Sequence, residues 1–212
     1  IWRPLGNPPR VRISGFADAR PKGFGLMQRK RHFADYADTE ARYHQRPSLW
    51  VEPVGDWGDG AVTLVEIPTA DEYHDNIVAF WRPQQPLRAG REYRFDYRMH
   101  WCDTHRWEAA LATVGATRIG AAPDATRRLV VIDLEGGRLA SIAHDTTLTP
   151  DVWAAHGDVV NAVAYPNPEA GGWRLSFEFR PHGDGHDVEL HARVLEGHVP
   201  LSETWLYRWS PP

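Results

Sequence analysis

The stretch Trp173-Arg174-Leu175-Ser176-Phe177-Glu178-Phe179 alternates large apolar residues with polar ones at every step. Successive side chains of a β-strand point to opposite faces of a sheet, so the four apolar side chains would share one face. An α-helix has 3.6 residues per turn and would spread the same side chains around its surface. The stretch therefore predicts a β-strand with one face in a core.

Segments with the same period-two pattern occur along most of the chain. They cover residues 63–67, 76–81, 93–101, 128–134, 159–165, 188–195 and 204–209. The chain also holds 17 prolines and 18 glycines, which punctuate it between these segments and are typical of turns. One segment, residues 33–43, instead spaces its aromatic residues at three and four, which predicts a short helix or helical turn that Pro47 ends. The predicted fold class is therefore all-β.

The composition of the sequence and the spacing of its predicted strands change near residues 102–108. Before this point the chain is rich in tryptophan and glycine and has long loops, whereas after it strands recur at nearly regular spacing. Regular short strands separated by turns are typical of an immunoglobulin-like sandwich. We therefore predict one domain over residues 1–102 and an immunoglobulin-like domain over residues 103–212. Within the second domain, the glycines of the turn 183–185 predict a hairpin between the strands on either side of it.

The composition excludes several classes of protein. The formal net charge is −4 and the basic residues are scattered, whereas a nucleic-acid-binding face needs clustered basic residues. No apolar run approaches the roughly 20 residues that a membrane-spanning helix needs. Cys102 is the only cysteine, so no disulfide can form within the chain. We expect neither a nucleic-acid partner nor a membrane span.

One group of residues invites a metal hypothesis. His100, Cys102 and His105 are close in sequence, but a structural zinc site needs four ligands in a tight geometry and only Asp103 lies nearby as the fourth. No phosphate- or nucleotide-binding glycine motif is present. We therefore expect no metal and no cofactor.

Several strings in the chain are specific when they occur together in this order. They are IWRPL (1–5), GFGLMQR (23–29), RYHQRPSLWVEP (42–53), GDWG (55–58), EIPT (66–69), DNIVAFW (75–81) and LSETW (201–205). This set resembles the OpgG/OpgD (MdoG/MdoD) family of periplasmic glucan biosynthesis proteins. The similarity runs over the whole chain, and it is densest in residues 1–101.

The resemblance implies a fold, a location and a substrate. Family members are periplasmic and are needed for osmoregulated periplasmic glucans, which have a β-1,2-linked glucose backbone. Their fold is a large sugar-binding β-sandwich followed by a smaller immunoglobulin-like domain. Residues 1–102 would then be the C-terminal part of the first domain. We expect a longer native polypeptide or a partner chain to supply the rest of that sandwich.

The resemblance also implies candidate site residues. Some family members are anomer-inverting endo-β-1,2-glucanases, and inversion uses a general acid and a general base whose carboxyl groups lie roughly 6.5–9.5 Å apart. Asp75, in the DN pair that follows EIPT, matches the acid, whereas the position of the base falls upstream of Ile1. Glu72 lies in the same loop as Asp75. Tyr43 and Arg46 match positions that line the glucan cleft.

Each of these residues also has a simpler interpretation. Asp75 is an ordinary turn residue before a strand, and Glu72 is an ordinary exposed loop carboxylate. Tyr43 would pack on the apolar side of a short helix, and Arg46 would pair with a nearby surface carboxylate. Trp50 is a candidate substrate-binding residue that fits a core position equally well.

Three functions follow from these alternatives. The first is an endo-β-1,2-glucanase or trimming enzyme with Asp75 as general acid. The second is a non-catalytic factor that binds β-1,2-glucan and presents it to other enzymes of glucan synthesis. The third is a purely structural role in which the immunoglobulin-like domain recruits another protein.

Overall fold

The computed structural model describes residues 1–103, 110–183 and 187–211, and within them the chain is all-β. Fourteen strands form four antiparallel sheets in this part of the chain, and the only helical elements are short 3-10 turns. The described residues fall into two compact units. The first unit comprises residues 5–103, and the second comprises residues 1–4 together with residues from 110 onward.

The first unit contains two three-stranded sheets. Its strands are β1 (Arg12–Ala19), β2 (Phe24–Leu26), β3 (Ser48–Val54), β4 (Asp59–Glu66), β5 (Ile77–Pro83) and β6 (Asp96–Cys102). One sheet has the order β1-β4-β5 and the other has the order β2-β3-β6. The β4–β5 hairpin closes with a hydrogen bond from the Ile67 amide to the Asn76 carbonyl (2.7 Å), which places the loop 68–75 at one end of the first sheet.

Several apolar strand faces of the first unit are exposed. The aromatic and methionine side chains of β6 illustrate this, because Tyr97, Met99 and Trp101 are each more than half exposed. Ile13 of β1 and Phe80 of β5 are exposed in the same way. The alternation that predicts a strand over 93–101 is therefore present in β6, but its apolar side chains remain largely exposed.

The second unit is a two-layer β-sandwich. Its strands are β7 (Thr113–Ala121), β8 (Arg128–Glu135), β9 (Thr149–Ala155), β10 (Gly157–Asn167), β11 (Gly172–Pro181), β12 (Val188–Glu196), β13 (Val199–Pro200) and β14 (Trp205–Trp209). One sheet has the order β10-β11-β8-β7. In the other, β12 pairs with β9 along one edge and with β14 and β13 along the opposite edge.

The core of the second unit consists of the inward sides of both sheets. Trp173, Leu175, Phe177 and Phe179 of β11 are at most 2% exposed, which confirms the face predicted for this stretch. They pack in one cluster with alternate residues of β8 and β12 from the two sheets. Trp205 of β14 spans the layers, because its indole Nε1–H donates to the Thr117 hydroxyl of β7 (3.0 Å).

Residues 1–4 join this second unit through Trp2. The Trp2 amide donates to the Thr204 carbonyl (2.7 Å), and the Leu206 amide donates to the Trp2 carbonyl (2.9 Å). This is a parallel bridge beside Trp205, and the Arg3 guanidinium lies over the Tyr207 ring at 5.5 Å. The strings IWRPL and LSETW therefore meet in the same unit.

One local prediction is wrong. Strands β11 and β12 do not form a hairpin, because β11 pairs with β8 and β10 whereas β12 pairs in the other sheet; residues 184–186 lie outside the described part. The short helix or helical turn predicted over residues 33–43 is present as separate 3-10 turns. The segment contains 3-10 turns at Phe33–Asp35 and at Tyr43–Gln45, and between them Ala37 and Arg42 have left-handed backbone angles that interrupt a helix.

The burial of Trp205 predicts a large effect on stability. We expect Trp205→Ala to lower the free energy of unfolding of the second unit by about 3–5 kcal/mol, because it leaves a cavity between the sheets. Thr117→Val removes only the hydrogen-bond partner and should cost about 1 kcal/mol. Urea denaturation followed by tryptophan fluorescence measures both effects. Equal losses for the two variants would contradict the assignment of Trp205 to the core.

Candidate functional site

The structure brings three of the predicted site residues together in the first unit. The Tyr43 hydroxyl donates a hydrogen bond to Oε2 of Glu72, which lies on the β4–β5 loop. The Arg46 guanidinium lies over the Tyr43 ring, 4.6 Å from its centroid. A phenol, a carboxylate and a guanidinium thus form one polar cluster, which offers both hydrogen-bond donors and acceptors to a ligand.

The segment that carries Tyr43 and Arg46 is held by side chains from the chain before it. The side chain of Gln28 donates from Nε2 to the Tyr43 carbonyl (2.6 Å), and the backbone N–H of Gln28 donates to the buried Ser48 hydroxyl (2.9 Å). Arg31 donates to the same hydroxyl (2.9 Å) and to the Arg46 carbonyl. These contacts fix both ends of the 43–48 segment. Arg46 donates weakly to the Ala41 carbonyl (3.5 Å).

The loop that carries Glu72 and Asp75 is fastened at its first residues. Asn7 makes a reciprocal pair with Thr69, donating from Nδ2 to the Thr69 carbonyl (2.7 Å) and accepting at Oδ1 from the Thr69 amide (3.0 Å). Glu66, which is fully buried, accepts from the Gly6 amide (2.8 Å) and faces Arg12 at 3.8 Å. Residues 6 and 7 therefore tie the start of this loop to the end of β4.

Asp75 is exposed at the end of the same loop. Its carboxylate makes no hydrogen bond or ion pair with the residues that the structure describes, whereas the carboxylate of Glu72 accepts from Tyr43. The loop also holds Asp71, whose carboxylate accepts from the Tyr73 amide (3.0 Å) and contacts His74 Nδ1 (2.8 Å). The acidic residues of the loop therefore differ in role. Glu72 is fixed within the polar cluster, and Asp75 is open to a ligand or to solvent.

Trp50 lies in β3, between Gly25 and His100 in the register of the second sheet. Its indole packs against Gly23, where a methyl group would lie 2.5 Å from the ring atoms. The positive backbone angle of Gly23 (φ 149°) also disfavours any other residue. His100 itself bonds through Nε2 to the Glu52 carboxylate (2.6 Å).

An aromatic hollow of about 360 Å³ lies elsewhere in the first unit, and Trp57 is at its centre. The Trp57 ring lies 5.6 Å from the ring of Phe95, 6.2 Å from that of Trp81 and 6.3 Å from that of Tyr97. Its Nε1–H donates to the Asp96 carbonyl (3.1 Å). Trp57 therefore lies in the wall of an open hollow.

The described residues contain neither a candidate metal centre nor a helix that could span a membrane. Across 1–103, 110–183 and 187–211, no three His, Cys, Asp or Glu side chains are grouped so that they could hold a metal ion. His105, a member of the metal hypothesis, lies outside these ranges. No helix in the same ranges is long and apolar enough to cross a membrane.

These features define an all-β protein that presents a polar cluster on the loops at the end of an antiparallel sheet. The sequence profile described as "Periplasmic glucan biosynthesis protein, MdoG" matches residues 1–209, and the chain belongs to this family. It is 50% identical over 211 residues to "Glucans biosynthesis protein G" of Rhodopseudomonas palustris strain CGA009, covering 100% of this chain and 41% of that protein.

Further relatives carry the same name. The protein of Bradyrhizobium diazoefficiens USDA 110 is 48% identical over 212 residues, which cover 100% of this chain and 41% of that protein. The protein of Vibrio cholerae O395 is 48% identical over 215 residues, which cover 99% of this chain and 38% of that protein. The chain thus spans about two fifths of the length of these relatives.

The contact between Tyr43 and Glu72 predicts a measurable titration effect. The hydrogen bond to the Glu72 carboxylate raises the pKa of Tyr43 above its ordinary value, because ionisation would place a phenolate beside a carboxylate. We expect Glu72→Gln to lower the pKa of Tyr43 towards that of a free tyrosine. Carbon-13 NMR of ring-labelled tyrosine measures the shift, with Glu92→Gln as the control. An unchanged pKa in Glu72→Gln would contradict the contact.

Proposed function

We propose that the chain is part of a periplasmic enzyme of glucan biosynthesis that cleaves or trims β-1,2-linked glucan by an inverting mechanism. The observation that carries the proposal is the cluster of Tyr43, Glu72 and Arg46, together with the exposed carboxylate of Asp75 on the same loop as Glu72. A glucan is neutral and rich in hydroxyl groups. Guanidinium and carboxylate groups can bond such hydroxyls, and an aromatic ring can pack on the apolar face of a sugar.

Asp75 is the general acid in this proposal. It protonates the glycosidic oxygen as the bond from that oxygen to the anomeric carbon breaks, while water attacks the carbon from the opposite face. The attacking water gives its proton to a second carboxylate. Glu72 is engaged by Tyr43 within the cluster. Because the resemblance puts the position of the base upstream of Ile1, we assign the second carboxylate to a part of the polypeptide outside residues 1–212.

Exposed apolar strands support a further part of the proposal. Aromatic and other apolar side chains of β6 and β5 are exposed to solvent, and unpaired strand edges with such surface favour association. We propose that additional strands, from a longer polypeptide or from a partner chain, cover these faces in the native protein.

The alternative is a non-catalytic glucan-binding or assembly factor of the same pathway. Two observations favour it. The described residues supply one open carboxylate in the candidate site, whereas inverting hydrolysis needs two. The hollow around Trp57 also offers aromatic surface that suits binding without chemistry. In this case Asp75 is a cleft residue, and the Tyr43 cluster holds the glucan for other enzymes.

Product analysis with linear β-1,2-glucan separates the two functions. We expect the native protein to release short oligosaccharides and Asp75→Asn to release them about 10²–10⁴-fold more slowly, because the amide cannot donate the acid proton. Binding of glucan should persist in the variant. Asp18→Asn, at the opposite end of the same sheet, is the matched control and should retain full activity.

Two outcomes would change the assignment. Glucan binding without products from either the native protein or Asp75→Asn would favour the assembly factor. Products released equally by both proteins would show that Asp75 is not the acid.

The mass of the native protein tests the proposal of additional strands. We expect sedimentation velocity to show a species heavier than the 24.1 kDa of this chain, as a longer polypeptide or as a complex. A stable, monodisperse 24.1 kDa monomer would contradict it, because the exposed faces of β5 and β6 would then be stable in water.

A further inference from the structure

Trp153 is an exposed aromatic residue of the second unit that no part of the proposed site uses. It lies on β9, an edge strand that pairs only with β12 among the described strands. Its neighbours Val152 and Ala154 pack against the core, so Trp153 points away from the core on the outer face of the sheet. It is 49% exposed, whereas Trp173 and Trp205 of the same unit are at most 2% exposed. Burial in the core therefore does not explain this tryptophan.

The Trp153 ring is held in a fixed orientation by His191. The two residues are directly opposite each other in the β9–β12 register, and their rings are nearly parallel, at 10° and 5.1 Å between centroids. Burial lowers the pKa of His191, so the imidazole is uncharged at neutral pH. One indole face is covered by this ring. Trp153 nevertheless remains about half exposed, which leaves part of the indole accessible to a ligand.

Two ion pairs flank the Trp153–His191 stack on the same face of the sheet. Arg193 donates from Nε to the Asp151 carboxylate (2.7 Å), and Arg208 donates to the Glu189 carboxylate. They lie on either side of the stack because Asp151 and Glu189 are each two residues from a member of it. Opposite charges cancel within each pair. The surroundings of the indole are therefore rich in fixed donors and acceptors but carry no net charge.

These features suit a sugar better than a charged polymer or a protein. A glucopyranose ring presents an apolar C–H face, which packs on an indole, and hydroxyl groups around its rim, which bond carboxylates and guanidinium groups. A nucleic acid or other polyanion would require unpaired cations. A stable protein interface buries about 800 Å² on each partner around an apolar centre, whereas one exposed aromatic ring between ion pairs offers much less.

We propose that Trp153, with the Asp151–Arg193 pair, binds one glucosyl residue of a β-linked glucan at a site separate from the Tyr43 cluster. The choice of glucan as ligand rests on the proposed function, whereas the site itself rests on the geometry of the second unit. Trp153 packs on the C–H face of the sugar, and the ion pair bonds its rim hydroxyls. The site has no catalytic role, because a free acid is not part of it.

Oxidation of the indole tests the proposal on the unmodified native protein. N-bromosuccinimide oxidises exposed tryptophans, and peptide mass spectrometry resolves Trp153 from the others. We expect saturating linear β-1,2-glucan to slow oxidation of Trp153 about 5- to 10-fold, as an aromatic stacking contact would. Glycerol at the same hydroxyl concentration should not slow it. An unchanged oxidation rate in glucan would overturn the proposal.

Calorimetric titration of variants with the same glucan separates this site from the proposed function. We expect Tyr43→Phe to leave the binding of glucan at Trp153 intact. Trp153→Thr, which preserves strand propensity, should abolish this binding. Tyr165 is an aromatic residue on the opposite sheet that is 39% exposed, and Tyr165→Ala is the control, which should bind as the native protein does.

The outcomes of this titration are distinct. If the native protein binds no glucan, both the proposed function and this ligand are wrong. If it binds glucan and Trp153→Thr binds it identically, only the site at Trp153 is wrong. If Trp153→Thr fails to fold, protection of the native indole from oxidation decides the question.

Discussion

The period-two alternation of large apolar and polar side chains is the constraint on which this structure depends. A strand that buries one face needs a second layer to cover it. In the second unit the chain supplies that layer itself, because β8 and β11 of one sheet meet β12 and β14 of the other around a closed core. In the first unit the same alternation in β6 leaves aromatic side chains in contact with solvent. Both units therefore contain strands with one apolar face, but these faces are buried in the second unit and partly exposed in the first.

The functional side chains of the candidate site lie on loops that hydrogen bonds hold in place. Tyr43 and Arg46 stand on a short turn whose ends are bonded by Gln28 and Arg31, and Glu72 stands on a hairpin loop fastened at its base by Asn7. The hydrogen bond between Tyr43 and Glu72 then joins the two loops. Tyr43, Arg46 and Glu72 therefore hold one another in place. Asp75, on the same loop as Glu72, is exposed and can contact a ligand.

Sequence patterns predict many of the strands and miss others. β11 and β12 are evident, whereas β7 is not, because a bulge between Val114 and Ala116 shifts its alternation by one position. β3 is hidden by Pro53 and Glu52, which are uncommon in strands. The hairpin predicted at 183–185 is wrong because glycine turns indicate a change of direction and not the sheet that the next strand enters. The site residues came from the family resemblance. Their meeting across 29 positions of sequence, and the roles of Arg31 and Asn7, depend on tertiary contacts that no local pattern encodes.

The bridge between Trp2 and the strand that contains Trp205 has a consequence for the order of folding. Its partners are separated by roughly two hundred residues, and contacts of such long sequence separation close slowly because the loop entropy is lost before the contact forms. A ribosome releases Trp2 long before Thr204 and Leu206 exist. Until the last strand emerges, the first four residues have no place to bind, so the edge of β14 is sealed only as synthesis of this region ends.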